Sequence, residues 1–428
     1  MLDTKRVAAL ASALLFAQGF NAKAEASGFV EDSKGSLTLR NYYFDRDYKG
    51  ESNISARREW AQGFILNLKS GFTEGPVGFG LDVQGMLGLK LDSSADRVGT
   101  GLLPTPTRRG EKAPDEYSEV GLTGKVRYSK TELNVGTVQP FLPILLSSPS
   151  RLLWQTFRGG YLRSQDLDGF SLHAGYLDRM NQRDSTDYQK LAVSAPNGRF
   201  NPAAESDRFV FAGGDYTAIP GLTLSYYQAR LEDIYQQHYL GGIYQTKLGP
   251  GDFKTELRYF NSSEDGAAKA GPVDNQNIGA LFVYKLGGHR LTTGGMLLSG
   301  KTATPYVAGA EVHVVSELAL SSEFINPDEH NWGVRYDYDF TSLGVPGLTA
   351  TARYLKGTNI DLPEKFGGSG LEESERDLEI AYVIQSGPLK NVGFRVRNAL
   401  YQNNFAPNAS FRDDNETRIH IDYTLKLW

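Results

Sequence analysis

Two arginines stand two residues apart in Phe394-Arg395-Val396-Arg397, with Val392, Phe394 and Val396 at the alternate positions. In an extended chain that spacing puts both guanidinium groups on one face and the apolar side chains on the other. A guanidinium fork holds a carboxylate through two parallel hydrogen bonds, so a row of such forks offers a moving anion successive holds that attract and release it. Arg353, Arg335 and Arg418 fall at alternating positions of nearby segments and are expected to extend the row. Arg40, Lys125, Arg127, Arg163, Lys254 and Arg258 share that polar side, balanced by Asp82, Glu256, Asp337, Asp339 and Asp422. A second polar set, Ser147, Ser148, Ser150, Arg151 and Arg158, is threaded through the apolar stretch QPFLPILLSSPSRLLWQTFRG.

Other chemistries find no support. Gly295–Thr302 matches the phosphate-loop pattern GxxxxGK[ST], but that pattern needs a helix starting within it, and here Pro305 follows with no helical period. There is no HExxH, no GxSxG and no Rossmann glycine set, so no catalytic residues are assigned. Cysteine is absent and the 6 histidines form no His-x-x-x-His pair, so neither a metal nor another cofactor is expected. A formal net charge of -5 gives no reason to expect nucleic acid.

What positions the arginines is a set of strands. In Val77–Asp92 the odd positions read Val, Phe, Leu, Val, Gly, Leu, Leu, Leu, while Asp82, Gln84, Lys90 and Asp92 hold even ones. Trp332–Phe340 and the final Thr417–Trp428 divide in the same way. Such alternation predicts strands with one apolar and one polar face. Mean hydropathy is -0.38, and past residue 26 no apolar run is long enough for a membrane helix. A membrane protein of this composition must be a closed barrel, and an arginine facing lipid at mid-bilayer would cost about 2–4 kcal/mol, so the arginines are expected to face the lumen. About eighteen strands are predicted, joined by short turns such as Ile219-Pro220-Gly221, Gly249-Pro250-Gly251 and Gly287-Gly288 at one end. Long polar stretches at 93–114, 181–207, 262–274, 301–329 and 359–373 lie at the other end. A soluble propeller or sandwich also uses alternating strands. It does not explain why Tyr42-Tyr43, Trp60, Tyr226-Tyr227, Trp332 and Tyr382 gather near strand ends, where interfacial girdles lie.

The chain opens with Lys5 and Arg6, an apolar run at 7–17 and small residues at Ala22, Ala24 and Ala26. This predicts a secretory signal peptide over 1–24, with cleavage after Ala24 or Ala26, and one barrel domain over 25–428. Residues 139–159 break the pattern: Pro140, Pro143 and Pro149 exclude a central strand, yet the stretch is too apolar to sit in water. It is expected to fold into the barrel and constrict it, with its serines and arginines facing the opening.

The segments FVEDSKGSLTLRNYYFDRDY (29–48), EWAQGFILNLKSGFTEGPVGFGLDVQGMLGLKLD (59–92), VGTVQPFLPILLSSPSRLLWQTFRGG (135–160), RYDYDFTSLGVPGLTATARYLKGTNID (335–361) and VIQSGPLKNVGFRVRN (383–398) closely resemble the OprD-type substrate-specific porins of Gram-negative outer membranes. The resemblance implies an all-β transmembrane antiparallel barrel of eighteen strands with a constriction loop in the lumen. It also implies a basic ladder on Arg395 and Arg397, with Arg353 as neighbour, and passive uptake of small organic anions. Lys301 stands where such porins usually carry an acidic residue in the loop after the thirteenth strand, which favours plain monoanions, including aromatic acids, over basic amino acids or peptides. The expected partners besides the solute are outer-membrane lipid, lipopolysaccharide and the barrel-assembly machinery, with the barrel as a monomer or homotrimer. A different class of function, an adhesin or receptor acting through the long loops, would need no conducting lumen.

Overall fold

The computed structural model describes residues 28–50, 54–312 and 320–428, so the expected leader lies outside the described residues. Eighteen long strands form the wall. The first half runs β1 (Lys34–Tyr48), β2 (Ala56–Lys69), β3 (Val77–Ser93), β4 (Glu116–Tyr128), β5 (Thr131–Val138), β6 (Thr156–Ser164), β7 (Phe170–Asn181), β8 (Phe209–Ile219) and β9 (Leu222–Leu231). The second half runs β10 (Tyr235–Leu248), β11 (Gly251–Glu264), β12 (Asp274–Leu286), β13 (His289–Ser299), β14 (His330–Asp339), β15 (Leu348–Ile360), β16 (Leu371–Val383), β17 (Gly393–Asn403) and β18 (Asp414–Lys426). Each pairs antiparallel with the next, and β18 pairs back onto β1 from Ser36↔Lys426 to Tyr48↔Asp414, so the sheet has no free edge. A nineteenth member of the sheet is a two-residue strand, Tyr188–Gln189, bridging to the end of β7.

Alternation sets the faces as expected. Val120, Leu122, Leu257, Ile278, Leu297 and Ile380 are more than half exposed on the outside, where lipid replaces water as their solvent. The weakly alternating segments around 207–217 and 289–299 are nevertheless strands, and glycine explains the weak pattern. A Cβ on Gly213 would lie 2.3 Å from the Tyr226 carbonyl oxygen, and one on Gly294 would lie 2.3 Å from that of Ala280, so those sites tolerate no side chain.

Short turns close one end, with two residues each at Ser129–Lys130, Pro220–Gly221, Gly249–Pro250 and Gly287–Gly288. Among the described residues the other end carries nine loops: L1 (49–50 and 54–55), L2 (94–115), L3 (139–155), L4 (182–208), L5 (232–234), L6 (265–273), L7 (300–312 and 320–329), L8 (361–370) and L9 (404–413). L5, at three residues, is a short exception. By the usual rule the long loops are extracellular and the short turns periplasmic.

The hydrophobic core lies inside the barrel. Leu142, Ile144 and Leu145 of L3 pack with Leu191 and Val193 of L4, Val307 and Phe324 of L7, and the inward rings of Phe209 and Phe211. Leu152 and Leu153 pack separately with Leu102 and Leu103 of L2 against Tyr42, Phe44 and Ile65. L3 is therefore inserted as expected, but it shares the lumen with L2, L4 and L7, because an apolar loop must find apolar cover and the inward rings of the wall supply only part of it. Phe141 is the exception among its large side chains, at 58% exposed.

Candidate functional site

The arginines gather on one stretch of wall. Arg335 on β14 is directly across from Arg353 on β15, and Arg353 from Asp377 on β16. Glu379 on β16 is across from Arg397 on β17, which is in turn across from Arg418 on β18, while Arg395 faces His420. Antiparallel pairing alone puts these side chains on one face. The anions that answer them are a stripe of Glu373, Glu375, Asp377 and Glu379 alternating with the lipid-facing Leu378 and Ile380.

Each arginine is held differently. Arg335 lies fork to carboxylate with Asp337, 2.9 Å from Nε and 2.7 Å from Nη2. Arg353 is buried 3.6 Å from Asp377 and 3.8 Å from Glu379. Arg418 is buried against Glu416 and donates to the Leu320 carbonyl at 2.9 Å, so it anchors L7. Glu379 therefore serves three cations, since Arg395 reaches it at 3.5 Å and Arg397 pairs with it too. Neither Nε makes an aligned hydrogen bond there, and the Arg395 side chain keeps 43% of its surface open. Positive charge thus exceeds negative charge around Arg395 and Arg397.

Arg40, grouped by alternation with the lumen cations, proves to be a clamp. It pairs with Asp422 at 2.9 Å and its Nη1 donates to the L3 carbonyls of Pro149 and Arg151 at 3.2 and 2.8 Å. Arg40→Ala is expected to raise open-channel noise and mean conductance in single-channel recordings, since L3 loses its tie to the wall; recordings indistinguishable from wild type would show that the packing of Leu152 and Leu153 suffices.

The constriction is where three loops meet. Ser148 of L3 donates to the Glu311 carboxylate of L7, and Arg183 of L4 donates to Ser148 at 2.8 Å and Ser150 at 3.2 Å while lying 3.8 Å from Glu311. Gln155 Nε2 and Gln182 Nε2 both donate to the Ala308 carbonyl, at 2.9 and 3.1 Å. Arg151 donates through Nε to Thr100 O at 3.1 Å, and its guanidinium lies 5.2 Å above the Phe44 ring, which Arg418 approaches to 5.1 Å. Burial, with Arg418 and Arg183 nearby, pushes the Arg151 guanidinium down to about 9. For Glu311, burial pushes upward, but the Ser148 and Ser150 hydroxyls and the Arg183 charge outweigh it and hold the carboxyl below its usual range.

Several sequence expectations need correcting. Ser147 and Ser148 do not face the opening: both are buried, Ser148 is committed to Glu311, and the Ser147 hydroxyl has no partner among the described residues. Arg158 belongs to β6, since L3 ends at residue 155. It pairs with Asp178 at 2.9 Å and its guanidinium lies 6.0 Å from the centre of the Tyr188 ring, so it is committed to the wall and is not part of L3. Lys301 lies at the outer mouth between L4, L6 and L8, far along L7 from Glu311, so the absence of an acidic residue inferred from position 301 is wrong. Glu311 and Arg183 were missed because loops carry no period. The stripe 373–379 was legible as acids at every second residue of β16, facing the arginines of β15 and β17.

A closed barrel with an inserted constriction and a charged lumen defines an outer-membrane channel, and comparison with known proteins agrees. Residues 27–427 match the family model for outer membrane porins of the OprD family. The chain is 38% identical over 406 residues to the porin-like protein GalP of Pseudomonas putida, covering 95% of each. Among solved structures it superposes on OccAB2 of Acinetobacter baumannii with TM-score 0.88 and 45% identity, covering 94% of this chain and all of that one. It superposes on OpdK of Pseudomonas aeruginosa, crystallised with vanillate, with TM-score 0.86 and 37% identity over 94% of this chain and all of that one. The chain belongs to the OprD family and is a porin of the Gram-negative outer membrane.

Proposed function

We propose that the channel selects small carboxylate-bearing solutes, aromatic monoanions foremost, and passes them by diffusion along Arg395 and Arg397. The observation that carries this reading is the excess of cations around Glu379, with Arg395 the most open of them. The vanillate in the OpdK structure is an aromatic acid, and that relative's ligand fits the same chemistry. Arg353 and Arg335 are tied to wall carboxylates and supply background field. Arg151 adds positive potential at the constriction through its charge, while Ser147, Ser148 and Arg158 keep loop and wall in place.

An acidic residue at the constriction would ordinarily favour solutes with an ammonium group. Glu311 does so weakly, because Arg183 lies 3.8 Å away as its counter-charge and the Ser148 hydroxyl already occupies its carboxylate, and plain acids therefore remain the favoured class. In planar bilayers, benzoate-type acids are expected to interrupt the current at concentrations where lysine and arginine do not, and equal blocking by both classes would sink the preference. Glu311→Gln is expected to strengthen blocking by benzoate about three- to tenfold, as one negative charge leaves a low-dielectric constriction. An unchanged or weakened block would mean that Glu311 lies off the solute's path.

A further inference from the structure

The outer mouth holds a cleft of about 880 Å³ between L4, L6, L7 and L8, well apart from the constriction residues. That volume is in the range of small-molecule sites. Its walls are stiff: four of the lining residues are prolines, and the loops are cross-tied by Asn201 N to Ala270 O at 3.0 Å and Asp361 N to Pro327 O at 3.1 Å. Gly198 sits directly against the Phe366 ring, where a Cβ would lie 2.7 Å from its edge. Phe366 and Phe200 line the cleft, and Arg199 at its back is engaged by Glu323 and Asn326.

The remaining charges are uncommitted. Lys301 and Lys365 line the cleft, and among the described residues neither has a carboxylate partner; Lys365 lies 4.8 Å over the Phe366 ring. Asp328 and Asp361 also line it, and among the described residues neither has a cationic partner. In the lumen, by contrast, Arg40, Arg335, Arg353, Arg395, Arg397 and Arg418 are all paired. Two open ammonium groups attract a carboxylate, the half-buried Phe366 ring, backed by the buried Phe200, accepts a flat apolar body, and free carboxylates accept a hydroxyl or amino hydrogen.

We propose that this cleft is an outer capture site for an organic acid whose body carries a hydrogen-bond donor, such as a hydroxybenzoate, ahead of the constriction. The proposal rests on the channel reading above and gives it a first step: the solute binds at the mouth, which raises its local concentration before the arginines take it. Equal numbers of free cations and anions keep the hold weak, as onward movement requires.

The test uses single channels with 4-hydroxybenzoate added to one side at a time, orientation being known from the asymmetry of the current. Lys301→Ala/Lys365→Ala is expected to lower the blocking on-rate from the loop side about three- to tenfold and to leave the on-rate from the turn side unchanged. Asp328→Asn/Asp361→Asn is expected to shrink the advantage of 4-hydroxybenzoate over benzoate from the loop side alone. Unchanged loop-side rates, or equal losses from both sides, overturn the capture site while leaving the channel reading intact. An unaltered protein that neither acid blocks from either side overturns the channel reading itself, and the capture site with it.

Discussion

Replacing Arg395 and Arg397 together by alanine is expected to abolish most blocking of the channel by small aromatic acids, raising the half-blocking concentration by about ten- to a hundredfold. A hydrogen bond to a charged group contributes about 1.5–3 kcal/mol, and a carboxylate would lose one or two of them at this step. Arg395 offers the most open guanidinium of the row and Arg397 adjoins it. Lysine at both positions should recover the attraction but only part of the affinity, since an ammonium lacks the planar fork. Arg335→Ala is the informative control. Its guanidinium is already doubly bonded to Asp337, so its removal should change blocking about twofold or less. The proposed path is wrong if the Arg335 variant loses as much as the double variant, or if the double variant still blocks normally.

Arg418→Met is expected to destabilise the barrel by about 3–5 kcal/mol, because it strands a buried carboxylate. Glu416 is fully buried and is held by Arg418 and Arg46, and the same Arg418 ties L7 to the wall through Leu320 O. Urea unfolding followed by tryptophan fluorescence measures the loss, and heat-dependent mobility on denaturing gels gives an independent check. Adding Glu416→Leu should return much of it, since the unpaired charge is then gone. A loss under about 1 kcal/mol would mean that Arg46 alone satisfies Glu416. L7 has further ties, for the Glu375 carboxylate accepts from the backbone N–H groups of Ser321 and Ser322 at 2.9 and 3.0 Å. Conductance is therefore expected to change less than stability does.

These effects also mark how far the residues alone could be read. The wall was legible, because burial against lipid on one side and water on the other imposes a period of two on every strand. That period by itself assigns Arg353, Arg395, Arg397 and Arg418 to the lumen. It also pointed to L3, whose prolines and leucines suit neither a strand nor a solvated loop. It did not say that Arg418 would be buried against Glu416 while Arg395 stayed open, since both occupy equivalent positions in alternating strands. Arg418 is covered by Glu416 of its own strand, which Arg46 of β1 also holds, and by the Leu320 carbonyl of L7, whereas Arg395 shares Glu379 with Arg353 and Arg397; that difference depends on register and on where L7 packs.

The loops mark the other boundary. Ser148, Arg183 and Glu311 come from L3, L4 and L7, separated by up to 163 positions in the chain, and nothing local to any of them signals that they will meet. The same holds for Lys301, expected among the solute-binding residues in place of an acidic one, which folding carried to the mouth. Composition and alternation by themselves pointed to a closed lipid-facing barrel of about eighteen strands, to the side on which most of its cations lie and to its inserted loop, because each is a local consequence of solvent on two faces. Which cations remain free, which carboxylates neutralise them and where the loops converge were decided only by tertiary structure, because electrostatic pairing depends on distances between segments that have no common period.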